Sequence, residues 1–224
     1  MAEAARVPTH EILRAGESRS FPEQHKLLQM GLQAGEVLIV VGAAAGSAFA
    51  HDPGRTAILI EIDRECLGVH TGEMAGAEGS NVLGFARYRL GDAPPSDLVE
   101  LVRQPATRPE AIAAARAVLE GAGLQVAVCM DFAGRIVDRL IRPVFNEALR
   151  KLDEGLATAA DMDTTMKLGL GYPEGPIERL ERTGLAHHHD VTQALFATYG
   201  ERAYAPARRA VVAKQRQAAA RGGL

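Results

Sequence analysis

The chain has 224 residues, 47% hydrophobic and 24% charged, with a net charge of −3. That balance suits one large or two small globular domains and gives no electrostatic reason to expect nucleic acid as a partner. No apolar run approaches the roughly 20 residues that span a bilayer, and the first residues lack the basic stretch and apolar core of a signal peptide, so the cytoplasm is the expected compartment.

Residues 1–24 are mixed and polar, and 24–32 suit a short helix. Residues 36–41 (EVLIVV) form a continuous β-branched run, the pattern of a strand buried on both faces. Residues 57–62 (AILIEI) read as a second such strand after the turn residues Asp52, Pro53 and Gly54. Residues 82–88 and 98–102 (LVELV) are further strands. Residues 107–121 predict a helix with Thr107 as N-cap, Glu110 completing a capping box and Pro109 in the first turn. Gly121 and Gly123 end it, and 124–130 (LQVAVCM) follow as a strand. The core has to be aliphatic, because aromatics are 4% and Trp is absent. Cys66 and Cys129 lack metal or disulfide spacing and read as buried free thiols. Residues 1–131 are thus expected to form a small α/β domain with a largely parallel sheet.

After Asp131 the pattern becomes purely helical, giving an all-α domain over 132–224. Ile136, Val137, Leu140, Ile141, Val144, Phe145, Ala148, Leu149 and Leu152 recur at helical spacing, with a kink expected at Pro143 and an end at Gly155. Thr158 and Asp161 form a capping box for a second helix. The glycines and prolines of 169–176 make an irregular loop, read as a helix–helix corner, and Pro176 opens a third helix. Two more helices fit 185–199 and 207–219. His187, His188 and His189 cannot share one metal ion from a helix, where successive side chains diverge by about 100°. They read as a solvated turn or helix start. Arg202, Arg208, Arg209, Lys214 and Arg216 read as a solvated basic face.

One segment invites a dinucleotide-binding reading. In EVLIVVGAAAGSAFA, Gly42 and Gly46 follow a strand, and Asp63 stands 21 positions after Gly42, where a ribose-binding acid would sit. Gly42, Gly46 and Asp63 are therefore the candidate cofactor-binding residues. Two features oppose the reading. Ala44 stands where the middle glycine would let the backbone approach a pyrophosphate. Only residues 43–56 separate the two strands, which is tight for a parallel crossover with a helix. A plain strand–turn–strand is the simpler alternative.

Two blocks carry a family resemblance. One is LVELVRQPAT at 98–107 with the following helix and strand. The other runs from GRIVDRLIRPVFNEALRKLDEG at 134–155 to about Lys214, with YPEGP at 172–176 and YGERAY at 199–204. Together they resemble the 3-hydroxyacyl-CoA dehydrogenases, most closely the C-terminal half of the long members associated with 3-hydroxyadipyl-CoA. The resemblance implies a dinucleotide-fold domain, a helical domain that builds a homodimer, NAD as cofactor and an acyl-CoA substrate. It also implies a His acting as general base on the 3-hydroxyl, a Glu that orients it, and a Ser and an Asn that hydrogen-bond the oxygen. Glu100 matches the orienting Glu and Asn146 the Asn; the structural alternatives are a solvent-facing edge position for Glu100 and a cap or bridge between neighbouring helices for Asn146. The His does not carry over. Where the family has Gly-x-His-Phe-Phe-Asn-Pro, this chain has Gly84-Phe85-Ala86-Arg87-Tyr88-Arg89-Leu90, with Ala86 or Tyr88 in the His position. His70 and Thr71 are the polar residues near the segment expected to hold the Ser. The family's nucleotide domain is also longer, so 1–131 is expected to be a truncated, degenerate Rossmann-like domain. Catalysis is then expected to be impaired. The alternative is a non-catalytic dimerising or acyl-CoA-binding module that partners a full-length dehydrogenase.

Overall fold

The computed structural model describes residues 6–44, 47–73, 80–91 and 93–222. The chain divides into two units: Met1–Arg89 with Pro94–Arg135, and Leu90–Ala93 with Ile136–Leu224. No helix among the described residues is long and apolar enough to cross a membrane.

The first unit is a six-stranded mixed sheet whose spatial order follows the chain: β1 His10–Arg14, β2 Val37–Val41, β3 Ala57–Glu61, β4 Val82–Arg87, β5 Leu98–Arg103 and β6 Gln125–Met130. Every neighbouring pair is parallel except β4 with β5. Alternation divides the strand residues between two faces. Val37, Ile39, Val41, Leu59, Leu83, Phe85, Val99 and Leu101 pack with the α3 (Pro109–Gly121) residues Ala111, Ala115 and Leu119. Ile58, Ile60, Ile62, Val82 and Val102 pack on the other face with Leu67 and Phe49. Two covered faces explain why VLIVV and AILIE are apolar almost without interruption.

Three local features depart from the sequence expectations. HEILR, in the stretch read as merely polar, forms the edge strand β1, paired in parallel with β2. An edge strand needs little buried surface, so its apolar signal is weak. β2 and β3 are parallel neighbours rather than a strand–turn–strand, yet no helix occurs among the described residues that join them. Phe49 covers that face of the sheet, and its N–H bonds to the His70 carbonyl at 2.9 Å, beside the short helix α2 (Gly68–Thr71). Thr107 does not cap α3. Its hydroxyl accepts the Gln104 N–H at 2.9 Å, and the N-cap residue is Arg108, without a side-chain cap. A one-turn helix, α1 (Lys26–Gln29), precedes β2.

The second unit is helical: α4 Ile136–Asp153, α5 Ala159–Leu170, α6 Pro176–Thr183, α7 Leu185–Tyr199, a 3-10 turn at Arg202–Tyr204 and α8 Arg208–Gly222. α4 is assigned as one helix through Pro143. Thr158 caps α5 as expected, accepting the Asp161 N–H at 3.2 Å and donating to the Asp161 carboxylate at 2.7 Å. The YPEGP loop is a built corner. Asp163 reaches across it and accepts the Ile177 and Glu178 N–H groups, each at 2.9 Å, so a side chain of α5 caps α6. A Cβ at position 175 would run into the Asp163 carboxylate, which is why glycine stands there. Glu174 binds Arg182 and Arg179 at 2.7 and 2.9 Å, and hydrogen bonding to Arg182 first, then Arg179, holds its carboxyl down at about 2.

Candidate functional site

A buried polar constellation in the sheet unit centres on Glu61, the last residue of β3. It is 7% exposed, in a strand whose other residues are all apolar. Its Oε1 accepts the Ser18 hydroxyl at 2.9 Å and the Ser20 N–H at 2.6 Å. Its Oε2 accepts the Gly42 N–H at 2.6 Å. Sequence reading missed this residue, although one carboxylate inside AILIEI was a legible signal.

That arrangement fixes the setting of the candidate cofactor residues. Gly42 has φ +71°, a glycine conformation, and a Cβ there would strike the backbone of Gly16. The glycine is needed for close approach by the chain's own segment 15–17. Its N–H, the donor a pyrophosphate would need, is taken by Glu61. Gly46 lies outside the described residues. Asp63 pairs with Arg64 at 3.1 Å and Arg19 at 3.6 Å. The strand order never reverses, so the sheet offers no switch-point crevice of the kind dinucleotides occupy. Among the described residues, those around Gly42 do not fit a dinucleotide pyrophosphate.

Glu100 lies in β5, 2% exposed, on the sheet face away from α3. Its Cα partners are Ala86 on β4 and Ala127 on β6. Of the two positions considered for the missing His, Ala86 is therefore the one directly opposite Glu100. Cys129 is close enough for the Glu100 charge to contribute to raising its thiol pKa, though burial is the larger cause. His70 is 3% exposed and its ring is engaged on both sides: Nδ1 stands 2.9 Å from the Ser47 carbonyl and Nε2 3.4 Å from Glu65.

Asn146 belongs to the helical unit, at the centre of a buried polar network. Its Nδ2 donates to the Ala203 carbonyl at 2.9 Å, and its Oδ1 accepts the Ala207 N–H at 3.3 Å. His188 Nε2 stands 3.0 Å from the same oxygen, and His188 Nδ1 stands 3.2 Å from an Arg142 nitrogen. Arg142 can only donate, so Nδ1 accepts and Nε2–H donates to Asn146. Burial, reinforced by the Arg142 charge, holds the imidazole pKa down at about 3, so the ring is neutral. Arg142 also donates to Asp138 at 2.8 Å. Asn146, His188 and Arg142 are all 0% exposed. His187, His188 and His189 lie at the start of α7, but the His188 ring is buried in the core rather than solvated. Asn146 joins α4 to α7 and to the start of α8, the bridge between neighbouring helices that was its structural alternative. Among the described residues no group of acidic, His or Cys side chains is placed to hold a metal.

The expected basic face is partly neutralised: Arg208 and Arg209 bind Asp153 at 2.8 and 2.7 Å, and Lys214 binds Asp190 at 2.6 Å. The same unit carries an apolar groove of about 690 Å³ between α4 and α5, lined by Pro143, Val144, Ala148, Leu156, Met162 and Met166 among others. Leu140 and Leu168, on the same two helices, are 70% and 83% exposed.

Residues 134–223 match the family model of the 3-hydroxyacyl-CoA dehydrogenase C-terminal domain. A 3-hydroxybutyryl-CoA dehydrogenase of Bradyrhizobium diazoefficiens is 35% identical over 117 residues, which are 52% of this chain and 40% of that protein. The mitochondrial hydroxyacyl-coenzyme A dehydrogenase of Sus scrofa is 41% identical over 88 residues, 39% of this chain and 28% of that protein. The matched stretch thus spans less than half the length of these relatives. Among solved structures, (S)-3-hydroxybutyryl-CoA dehydrogenase from Ralstonia eutropha superposes with a TM-score of 0.63 at 22% identity, covering 84% of this chain and 66% of that one. The 3-hydroxybutyryl-CoA dehydrogenase of Escherichia coli gives 0.62 at 23% identity, covering 79% and 39%. The fold is a Rossmann-like sheet region followed by a helical domain of the 3-hydroxyacyl-CoA dehydrogenase C-terminal type. In sequence as in fold, the chain resembles the 3-hydroxyacyl-CoA dehydrogenase family, as its motifs implied.

Proposed function

We propose that this chain is a 3-hydroxyacyl-CoA dehydrogenase-type protein in which NAD-dependent oxidation of a 3-hydroxyacyl-CoA is impaired or lost, while acyl-CoA binding is kept. The observation that carries the reading is the register of β4 and β5: the residue opposite Glu100, where the resemblance would place the His to be oriented, is Ala86, which has no general base to offer. The engagement of the Gly42 N–H by Glu61 supports it from the cofactor side. The burial of Asn146 supports it again, because no exposed amide remains at that position to meet a substrate oxygen.

A second reading, favoured by the groove between α4 and α5, is a non-catalytic dimerising module that partners a full-length dehydrogenase. In this reading a second copy of the chain covers the groove and the exposed Leu140 and Leu168, an apolar surface of the kind that marks interfaces. Thermal-shift titration of acetoacetyl-CoA and of NADH, each alone, tests the first reading. Stabilisation by the acyl-CoA and none by NADH is expected. Saturable NADH binding with turnover overturns it.

A further inference from the structure

In α/β proteins, phosphate-bearing ligands are taken at the C-terminal edge of the parallel strands, where backbone N–H groups point outward. In this chain the donors that follow β1 and β2 converge instead on a side chain at the end of β3. The Gly42 N–H, the Ser20 N–H and the Ser18 hydroxyl all reach the Glu61 carboxylate, within 2.6 to 2.9 Å. The segment that supplies the two serines is tied down on both sides. The Ala15 N–H bonds to the Val41 carbonyl at 2.9 Å, and Phe21 is buried in the core with its N–H on the Ser18 hydroxyl at 2.9 Å. Gly16 and Gly42 approach so closely that a Cβ on either would strike the other's backbone.

We infer that Glu61 is a built-in anionic ligand: its carboxylate fills a seat that these three donors would otherwise offer to a phosphate group, and it holds segment 15–21 across the edge as a strap. Two carboxylate oxygens receiving three donors reproduce the hydrogen bonding of a bound oxyanion. The chain thereby satisfies the N–H groups of Gly42 and Ser20 without an external ligand. This inference rests on the reading of the sheet as a Rossmann-like region that does not take NAD. It adds the cause, and it names the ligand class being excluded, a phosphate or pyrophosphate anion.

The test compares the wild-type chain with Glu61→Ala, which vacates the seat, and Glu61→Gln, which keeps a side chain of the same size in it. The probe is inorganic pyrophosphate, against chloride at matched ionic strength, with thermal unfolding as readout. Glu61→Ala is expected to gain a saturable pyrophosphate-specific rise in Tm, roughly 5–10 °C at about 100 times its Kd. Wild type and Glu61→Gln are expected to show none. If Glu61→Ala does not fold in chloride, pyrophosphate is expected to restore its fold. The inference is overturned if Glu61→Ala responds no more than wild type, if it stays unfolded with pyrophosphate, or if wild type itself is stabilised. NADH binding by wild type would count against the functional reading. A Glu61→Ala chain blind to pyrophosphate, with wild type blind to NADH, removes only the built-in ligand.

Discussion

Ala86 and Glu100 are Cα partners across the antiparallel β4–β5 ladder, on the sheet face opposite α3. Directly opposed residues place their Cβ atoms about 4.5–5.5 Å apart, so a His at position 86 would meet the Glu100 carboxylate. Ala86→His is nevertheless expected to produce no NADH-dependent reduction of acetoacetyl-CoA, because the Gly42 N–H is still taken by Glu61. The added ring should lower stability by about 1–3 kcal/mol, as overpacking does. Coupled absorbance assays and urea unfolding check both statements, and turnover above background would count against the closed edge.

Asn146 is expected to act on stability. Asn146→Ala removes the partner of the Ala203 carbonyl and leaves the buried Ala207 N–H and His188 ring without theirs. The expected loss is about 2–4 kcal/mol, read as a lower urea midpoint. A folded Asn146→Ala chain of unchanged stability would remove the amide from the centre of the network.

His188 makes the helical unit sensitive to acid. Its folded-state pKa of about 3 lies below the unfolded value of 6.5, so the unfolded chain takes up a proton that the folded chain refuses. The contribution is complete above pH 6.5 and declines as pH falls from there toward 3, by about 1.4 kcal/mol per unit. Urea midpoints measured between pH 7 and pH 4 should fall for wild type and fall less steeply for His188→Gln. Parallel slopes would show that another group controls the acid limb.

The groove between α4 and α5 predicts self-association. Val144→Glu places a charge in it beside Ala148 and Met166. Sedimentation velocity should show a wild-type dimer, and a Val144→Glu monomer with unchanged helical circular dichroism. A wild-type monomer at micromolar concentration would contradict the second-copy reading.

Much of this fold was legible because burial imposes pattern. VLIVV, AILIE and LVELVR are apolar where the sheet is covered, and the α4 stripe at helical spacing could hardly form anything else. The capping box at Thr158 and Asp161 is local chemistry and was read correctly. Thr107 fails the same rule because a nearer donor, the Gln104 N–H, takes its hydroxyl. β1 was missed because pairing with β2, rather than its own sequence, makes it a strand. The polar constellations were the least legible. Glu61 meets Ser18 and Ser20 across some 40 positions, and Asn146 meets His188 across 42. Hydrogen bonds of that span have no sequence periodicity. Motif matching offered Gly42 to a cofactor and Asn146 to a substrate, and both are occupied within the chain.

The central claim is that this chain keeps the 3-hydroxyacyl-CoA dehydrogenase fold without holding NAD. Equilibrium titration of NADH, followed by its own fluorescence in the presence of saturating acetoacetyl-CoA, tests it most directly. The account predicts a linear, unsaturable signal identical to that of buffer. A saturable enhancement at one NADH per chain would contradict it.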